Sequence, residues 1–113
     1  MINNTLFVPW LTGSLNVLDD KWKRSRNRKV WEEAFLIARP TWGEAQPGQK
    51  RKVKIERGGE MLDYDNLTGG CKPILDALRM MRILIDDSRE FVSPHYSQPE
   101  ELLGKNVTAI TVE

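Results

Sequence analysis

Two pairs of aspartates are the residues of this chain whose types and spacing best suit a metal-binding or catalytic site. Asp63 and Asp65 stand two residues apart, and Asp86 and Asp87 are adjacent. In an extended segment, residues two apart point to the same side, so the first pair would share one site. Like charges at such a distance ionise cheaply only with a cation between them, and Mg²⁺ prefers a few carboxylates together with water or phosphate oxygens. We therefore expect Asp63 and Asp65 to hold a divalent cation.

A helix separates the two pairs and decides whether they can meet. About 15 residues of helix between two sheet elements can return the chain to the sheet beside its starting point, and Asp86 or Asp87 would then complete the site. The alternative is that Asp65 or Asn66 only caps this helix and that Asp86 and Asp87 form a solvated turn. One cysteine and one histidine exclude a Cys-rich zinc site and leave carboxylates as the metal ligands.

Hydrophobic patterning predicts the elements that must position these acids. Val53 and Ile55 alternate with charged residues and predict a half-buried strand with a cationic outer face. We predict strands at 5–10, 50–56, 91–96 and 106–112, helices at 21–38 and from 66 to about 81, and a helical turn at 99–103. The fold class that follows is α+β, a single domain over residues 1–113 with βαβαββ order and a small mixed sheet packed against two helices.

Two prolines bear on the helix boundaries. Pro40 is expected to end the first helix. Pro73 would remove one hydrogen bond from a straight second helix and press on the carbonyl of Gly69. We expect the Gly69-Gly70 pair to let this helix bend or start late.

The net charge of +1 hides a division along the chain. Residues 21–57 hold twelve Lys and Arg against four Glu, a local charge of +8, and residues 58–113 hold five bases against ten acids, a local charge of −5. A protein that gathers a polyanion on one surface and holds divalent cations on another needs such a division. Two differently charged solvated faces are the alternative.

The segment from residue 63 to 88 resembles the signature of the RusA family of Holliday junction resolvases, found in bacteria and their phages. The similar runs are Asp-Tyr-Asp-Asn-Leu at 63–67, Lys-Pro-Ile-Leu-Asp-Ala-Leu at 72–78 and Ile-Asp-Asp-Ser at 85–88. The family's Pro-rich turn, Ser-x-Asn and basic Trp-containing helix are similar to residues 9–10, 14–16 and 21–24. The resemblance covers residues 5 to about 92, and we call residues 63–88 the RusA-like signature.

This resemblance implies a homodimeric endonuclease that uses Mg²⁺, with Mn²⁺ as a substitute, to nick branched DNA, ideally a four-way junction, symmetrically. Carried over by position, Asp63, Asp65 and Asp87 are the metal-binding catalytic carboxylates, and Asp86 is a lesser candidate. Metal on these acids would activate a water for in-line attack on a phosphodiester. Because a four-way junction has twofold symmetry, two sites related by a C2 axis would meet equivalent strands.

One position departs from the family pattern. The resolvase for which the family is named has a catalytic lysine four residues after the second Asp, where this chain has Gly69. Lys72 is the nearest substitute, because it lies about 20° off the same helical stripe and its side chain leans toward the helix start. An ordinary i,i+4 ion pair with Asp76 is the alternative for Lys72.

The basic segments then acquire a role in binding DNA. We expect a phosphate-contacting face around the acidic site, formed by Lys21, Lys23, Arg24, Arg26, Arg28 and Lys29 of the first helix, and Lys50, Arg51, Lys52 and Lys54 of the second strand. Asn16 of the Ser-x-Asn run is a further nucleic-acid-binding candidate. Trp22 and Trp42 are candidates for stacking on unpaired bases, with a core position as the alternative for Trp22.

Two other functions stay open. One is a nuclease of broader choice that acts on flaps, D-loops or forks, and the other is a non-catalytic branched-DNA-binding protein of phage recombination or replication. Composition, with 40% apolar and 29% charged residues, is typical of a globular chain. No stretch approaches the roughly 20 apolar residues of a membrane span, and residues 1–10 lack a signal-peptide pattern. We therefore expect a cytoplasmic protein without a membrane partner.

Overall fold

A four-stranded sheet, with helices on one of its faces, forms the framework of the computed structural model. The structure describes residues 4–12 and 21–113, with the side chains of the first helix described from residue 26 onward. The elements in chain order are β1 (Thr5–Val8), α1 (Lys21–Trp42), β2 (Arg51–Arg57), α2 (Tyr64–Gly70), α3 (Lys72–Met80), β3 (Val92–Ser97), a 3₁₀ turn (Glu100–Leu102) and β4 (Thr108–Val112).

The sheet has the strand order β1-β4-β2-β3 and is mixed. β4 runs antiparallel to both β1 and β2, whereas β2 and β3 are parallel. Parallel neighbours need a crossover connection, and α2 with α3 supplies it between β2 and β3. The α+β class, the mixed sheet and the βαβαββ order are confirmed, with the second predicted helix divided into α2 and α3.

The core lies between the sheet and the helices α1 and α3. Val53 and Ile55 of β2 are fully buried with Phe35 of α1 and Ile74 and Leu78 of α3. The alternating charged residues of β2 therefore point to the opposite face, which these helices leave open. Among the described helices, none is long and apolar enough to cross a membrane.

The first helix continues past Pro40, so the prediction that Pro40 ends it is wrong. α1 runs to Trp42, and Gly43 N donates to Arg39 O at 2.8 Å. The buried Trp42 holds this last turn, because its ring packs 5.4 Å from that of Phe35 and its Nε1 donates to Asn4 O at 2.7 Å. The same burial excludes Trp42 from stacking on DNA bases, while the side chain of Trp22 lies outside the described residues.

The second predicted helix is broken into two, and Pro73 stands at the start of the second one instead of bending a single helix. α2 ends at Gly70, Cys71 caps both helices, and Pro73 stands in the first turn of α3. A proline is tolerated there because its missing N–H would have no partner inside the helix. Gly69 and Gly70 are not among the glycines with positive φ, so their backbone is open to other residues.

Arg51 is buried, so it does not belong to the predicted phosphate-contacting face. Its side chain is 7% exposed, and its guanidinium donates to Trp42 O at 2.5 Å, Gly43 O at 2.8 Å and Ile83 O at 3.1 Å. Carbonyls at a helix end lack hydrogen-bond donors within the helix. Arg51, at the start of β2, provides the donors for Trp42 O and Gly43 O. It is a structural cap of α1.

Replacing this cap tests its structural role. We expect Arg51→Met to lower the free energy of unfolding by about 2–4 kcal/mol, because three carbonyls lose a charged donor at a buried position. The exposed neighbour Lys52 gives the matched control, and Lys52→Met is expected to change stability by less than about 0.5 kcal/mol. Urea unfolding monitored by tryptophan fluorescence measures both, and equal midpoints for the two variants would contradict the assignment.

Candidate active site

Asp63 caps the helix that begins the acidic site. Its backbone is extended, with φ −66° and ψ 161°, and its Oδ1 accepts from Asn66 N at 2.9 Å. Oδ2 accepts from Asn66 Nδ2 at 2.7 Å. These two hydrogen bonds, from the backbone and then the side chain of Asn66, hold the pKa of the Asp63 carboxyl below its usual value. The cap is therefore Asp63, and the alternative that Asp65 or Asn66 caps the helix is wrong.

Asp65 lies in the first turn of α2 and is exposed. Asp63 is the N-cap of this helix, so the two acids are neighbours across a helix start rather than along an extended strand. Among the described residues, none donates a hydrogen bond to the Asp65 carboxylate, whose oxygens remain accessible for a ligand.

Lys72 joins the start of α3 to the turn that follows this helix. Its Nζ donates to Asp87 Oδ2 and lies 3.4 Å from Asp76 Oδ1. The predicted i,i+4 pair with Asp76 is therefore present, and the second partner, Asp87, stands 15 residues away in sequence. The crossover thus places Asp87 beside the junction of α2 and α3.

The Lys72–Asp87 pair is ionised at neutral pH. The hydrogen bond from Lys72 holds the pKa of Asp87 below its usual value. Burial acts to lower the pKa of Lys72, but the hydrogen bond to Asp87 and the charges of Asp76 and Asp87 outweigh this and raise it. One face of this site thus holds a positive charge directly against a carboxylate.

Tyr96 is a residue of this region that sequence reasoning missed. Its register partner is Ile55, so it lies on the helix-covered face of β3 and packs against the core. Burial, followed by the charges of Cys71, Tyr64 and Asp87, raises its pKa to about 12. Only the alternation of β3 could have suggested its inward position.

A divalent cation fits the donor chemistry of these residues. Asp63, Asp65 and Asp87 offer carboxylate oxygens alone, which suit Mg²⁺ or Mn²⁺. Asp87 accepts a hydrogen bond from the Lys72 ammonium, and Asp86 beside it is half-buried. Within residues 4–12 and 21–113, however, no three His, Cys, Asp or Glu side chains converge as a formed metal site.

Cys71 contributes no reactive group to this site. It is fully buried, and burial raises its pKa to about 12, so it is a thiol at neutral pH. A thiol of this kind is neither a good nucleophile nor a metal ligand. The chemistry of the site rests on carboxylates and Lys72.

The predicted basic residues do not form one face around the acids. Lys52 and Lys54 lie on the open face of the sheet, whereas α3, whose Lys72 contacts Asp87, packs on the helix-covered face. In this open-face group Lys54 pairs with Glu56 at 3.7 Å, and Lys50 is exposed just before β2. The sheet separates these lysines from the acids because successive side chains of a strand point to opposite faces.

The basic residues of α1 form the other group. Arg26 and Lys29 are exposed, and Arg28 is half-buried with its Nε 4.0 Å from Glu32. The structure describes only the helical backbone of Lys21, Lys23 and Arg24, and Asn16 lies outside the described residues. These basic residues at 21–29, which we call the α1 bases, lie in the N-terminal part of α1, whereas Arg51 caps its C-terminal end.

Known proteins add no assignment to this site. Comparison of the chain with known protein families, curated proteins and solved structures gave no match.

Proposed function

We propose that this chain is a metal-dependent, structure-specific endodeoxyribonuclease that acts in the cytoplasm as a homodimer and resolves Holliday junctions by symmetric nicks. The observation that carries this proposal is the contact between Lys72 and Asp87. It brings the last part of the RusA-like signature against the start of α3, directly after the helix that Asp63 caps. Lys72 and Asp87, which stand 15 residues apart in the signature, are thereby neighbours in space.

Each charged group of the site has a distinct task in this proposal. Asp63 and Asp65, at the start of α2, and Asp87, after α3, hold the cation, with Asp86 as an additional oxygen donor. Bound Mg²⁺, or Mn²⁺ in its place, supplies an acidified water and neutralises charge on the scissile phosphate. Lys72 directs its ammonium toward the phosphate and adds a fixed positive charge where negative charge develops.

The two basic groups bind DNA in different places. The α1 bases contact the phosphates next to the acidic site, and Lys50, Lys52 and Lys54 contact a separate arm of the junction. Phosphate contacts position the protein without reading sequence, so the shape of the junction selects the substrate. In a C2 dimer, two acidic sites face two equivalent strands of a junction, and a paired cut follows from this symmetry.

Incubation of a labelled four-way junction with Mg²⁺ or with EDTA tests the proposed function. We expect paired nicks that a ligase reseals in Mg²⁺ and no cleavage in EDTA, with a linear duplex of the same arm sequences left intact. Equal cleavage of flaps and forks would instead support the nuclease of broader choice. Tight junction binding without cleavage in either Mg²⁺ or Mn²⁺ would support the non-catalytic binding protein.

The α1 bases are expected to give binding that depends strongly on salt. Replacing Lys23 and Arg24 with Ala should weaken affinity for every DNA shape by a similar factor and reduce the slope of log K against log salt by about 2, because each residue neutralises one phosphate. Fluorescence anisotropy with junction and duplex DNA at several salt concentrations measures this.

A control with the same change in net charge isolates the contribution of the bases at 21–29. Arg39, in the last turn of α1, and Lys105 are exposed bases that the proposal leaves away from DNA. Replacing both with Ala should leave the salt slope unchanged. A slope that is flat for the parent protein, or equal for the two double variants, would contradict the role of the α1 bases.

A further inference from the structure

One side chain, from the residue that follows β3, holds the segment that leads into Asp63. Gln98, the residue after β3, donates from Nε2 to Glu60 O at 2.8 Å and to Gly58 O at 3.2 Å. Its Oε1 accepts from Leu62 N at 2.8 Å. Both ends of one amide thus bind the backbone of residues 58–62, which we call the acid-preceding segment.

The beginning of this segment has several other supports. Arg57 Nη1 donates to Gly58 O at 3.1 Å and to Glu60 O at 3.3 Å. Gly58 N donates to Val107 O at 2.8 Å. A Cβ on Gly58 would stand 2.3 Å from Lys105 O, so the backbone there is packed against its neighbour without room for a side chain. This end of the segment is fixed even without Gln98.

The end of the segment depends on Gln98 far more. Among the described residues, Gln98 is the one partner of the Leu62 N–H, and Leu62 directly precedes Asp63. Asp63 must keep its extended backbone for its carboxylate to reach Asn66 N. A Leu62 N–H without a partner would let this peptide rotate, and the direction of the Asp63 carboxylate would change with it.

We propose that Gln98 is a positioning residue of the acidic site, one that fixes residue 62 so that Asp63 and Asp65 present their carboxylates together. This inference rests on the proposed function. Groups that orient metal-binding carboxylates typically change metal affinity by 10-fold to 100-fold when they are removed. A glutamine suits the role because one side chain both donates and accepts without a charge of its own.

Substitution of Gln98 separates positioning from general stability. Gln98→Met keeps the length of the side chain and loses all three hydrogen bonds. We expect the Mg²⁺ concentration for half-maximal single-turnover cleavage to rise by about tenfold, with junction affinity unchanged. Mn²⁺ affinity in the absence of DNA, followed by electron paramagnetic resonance, should fall by about the same factor. The Leu62 amide should exchange its hydrogen faster in the variant.

Gln98→Glu and Gln49→Met provide the comparison. Gln98→Glu still accepts from Leu62 N and loses only its bonds to two carbonyls that Arg57 also binds, so its Leu62 exchange should stay close to that of the parent. Gln49 Oε1 accepts from Gln46 N at 2.9 Å in an exposed turn, and Gln49→Met removes a comparable hydrogen bond elsewhere. This control should keep parental cleavage and Mn²⁺ affinity.

The outcomes distinguish this proposal from the function on which it rests. A parent protein that cuts DNA and binds Mn²⁺, with Gln98→Met equal to it in both, would refute only the role of Gln98. A parent that neither cuts nor binds Mn²⁺ would refute the proposed function and this inference with it. If Gln98→Met does not fold, Gln98→Lys decides, because a lysine can donate to the two carbonyls but cannot accept from Leu62 N, and parental Leu62 exchange with parental Mn²⁺ affinity in that variant would overturn the proposal.

Discussion

Asp65→Asn is expected to abolish junction cleavage while junction binding stays intact or becomes tighter. The substitution removes one metal-binding oxygen and one negative charge, so catalysis is lost and repulsion of the DNA phosphates falls. Asp65 is exposed, and none of the described residues donates a hydrogen bond to its carboxylate. Loss of an acid from the first turn of α2 should cost no more than about 1 kcal/mol of stability.

Single-turnover cleavage and anisotropy on the same junction measure the two effects separately. Glu60→Gln is the matched control, because Glu60 is an exposed acid close in sequence that the proposal gives no part in catalysis. This variant should cleave at the parental rate. Simultaneous loss of binding and cleavage in Asp65→Asn, or cleavage at the parental rate, would remove Asp65 from the proposed site.

Lys72→Ala is expected to slow the chemical step by about 10²-fold to 10³-fold with little change in junction affinity. This is the loss typical of removing one donor that stabilises the transition state. The Lys72 side chain is 48% exposed, so breaking its pairs with Asp76 and Asp87 should change stability by less than about 1 kcal/mol. Lys72→Arg should recover only part of the rate, because a planar guanidinium places its charge differently from a compact ammonium.

The two partners of Lys72 make a discriminating control available. Asp76→Asn removes the i,i+4 pair and leaves the contact of Lys72 with Asp87, so this variant should cleave at close to the parental rate. If Lys72→Ala cleaves as fast as the parent in single-turnover assays, Lys72 is an ion-pair partner only. The catalytic cation would then have to come from α1 or β2.

Moving the lysine tests whether its charge has shifted by one helical turn. Gly69→Lys combined with Lys72→Ala places an amine where the RusA family has its lysine, and Gly69 lies inside α2 without a positive φ. A lysine there should favour the helix by about 1 kcal/mol relative to glycine. Restored cleavage in the folded double variant would show that either position serves the same phosphate, and a folded but inactive variant would restrict the role to position 72.

Local patterns in the sequence determined most of the elements. Alternation in β2 predicted that Val53 and Ile55 face the core, and the structure confirms it. Pro73 indicated an irregularity in the second helix, and the structure has a break there, because proline restricts backbone angles whatever surrounds it. These features depend on residues within a turn or two of one another.

The tertiary structure alone decided which polar side chains act in the fold and which face the site. Arg51 donates to Ile83 O, 32 residues away, and Gln98 accepts from Leu62 N, 36 residues away. From the sequence, Arg51 is predicted to contact DNA phosphates and Gln98 has no predicted role. Neither residue type nor spacing shows which distant backbone groups a side chain will bind. They meet because the α2–α3 crossover returns β3 parallel to β2, and periodicity along one segment contains no information about the contacts that this return creates.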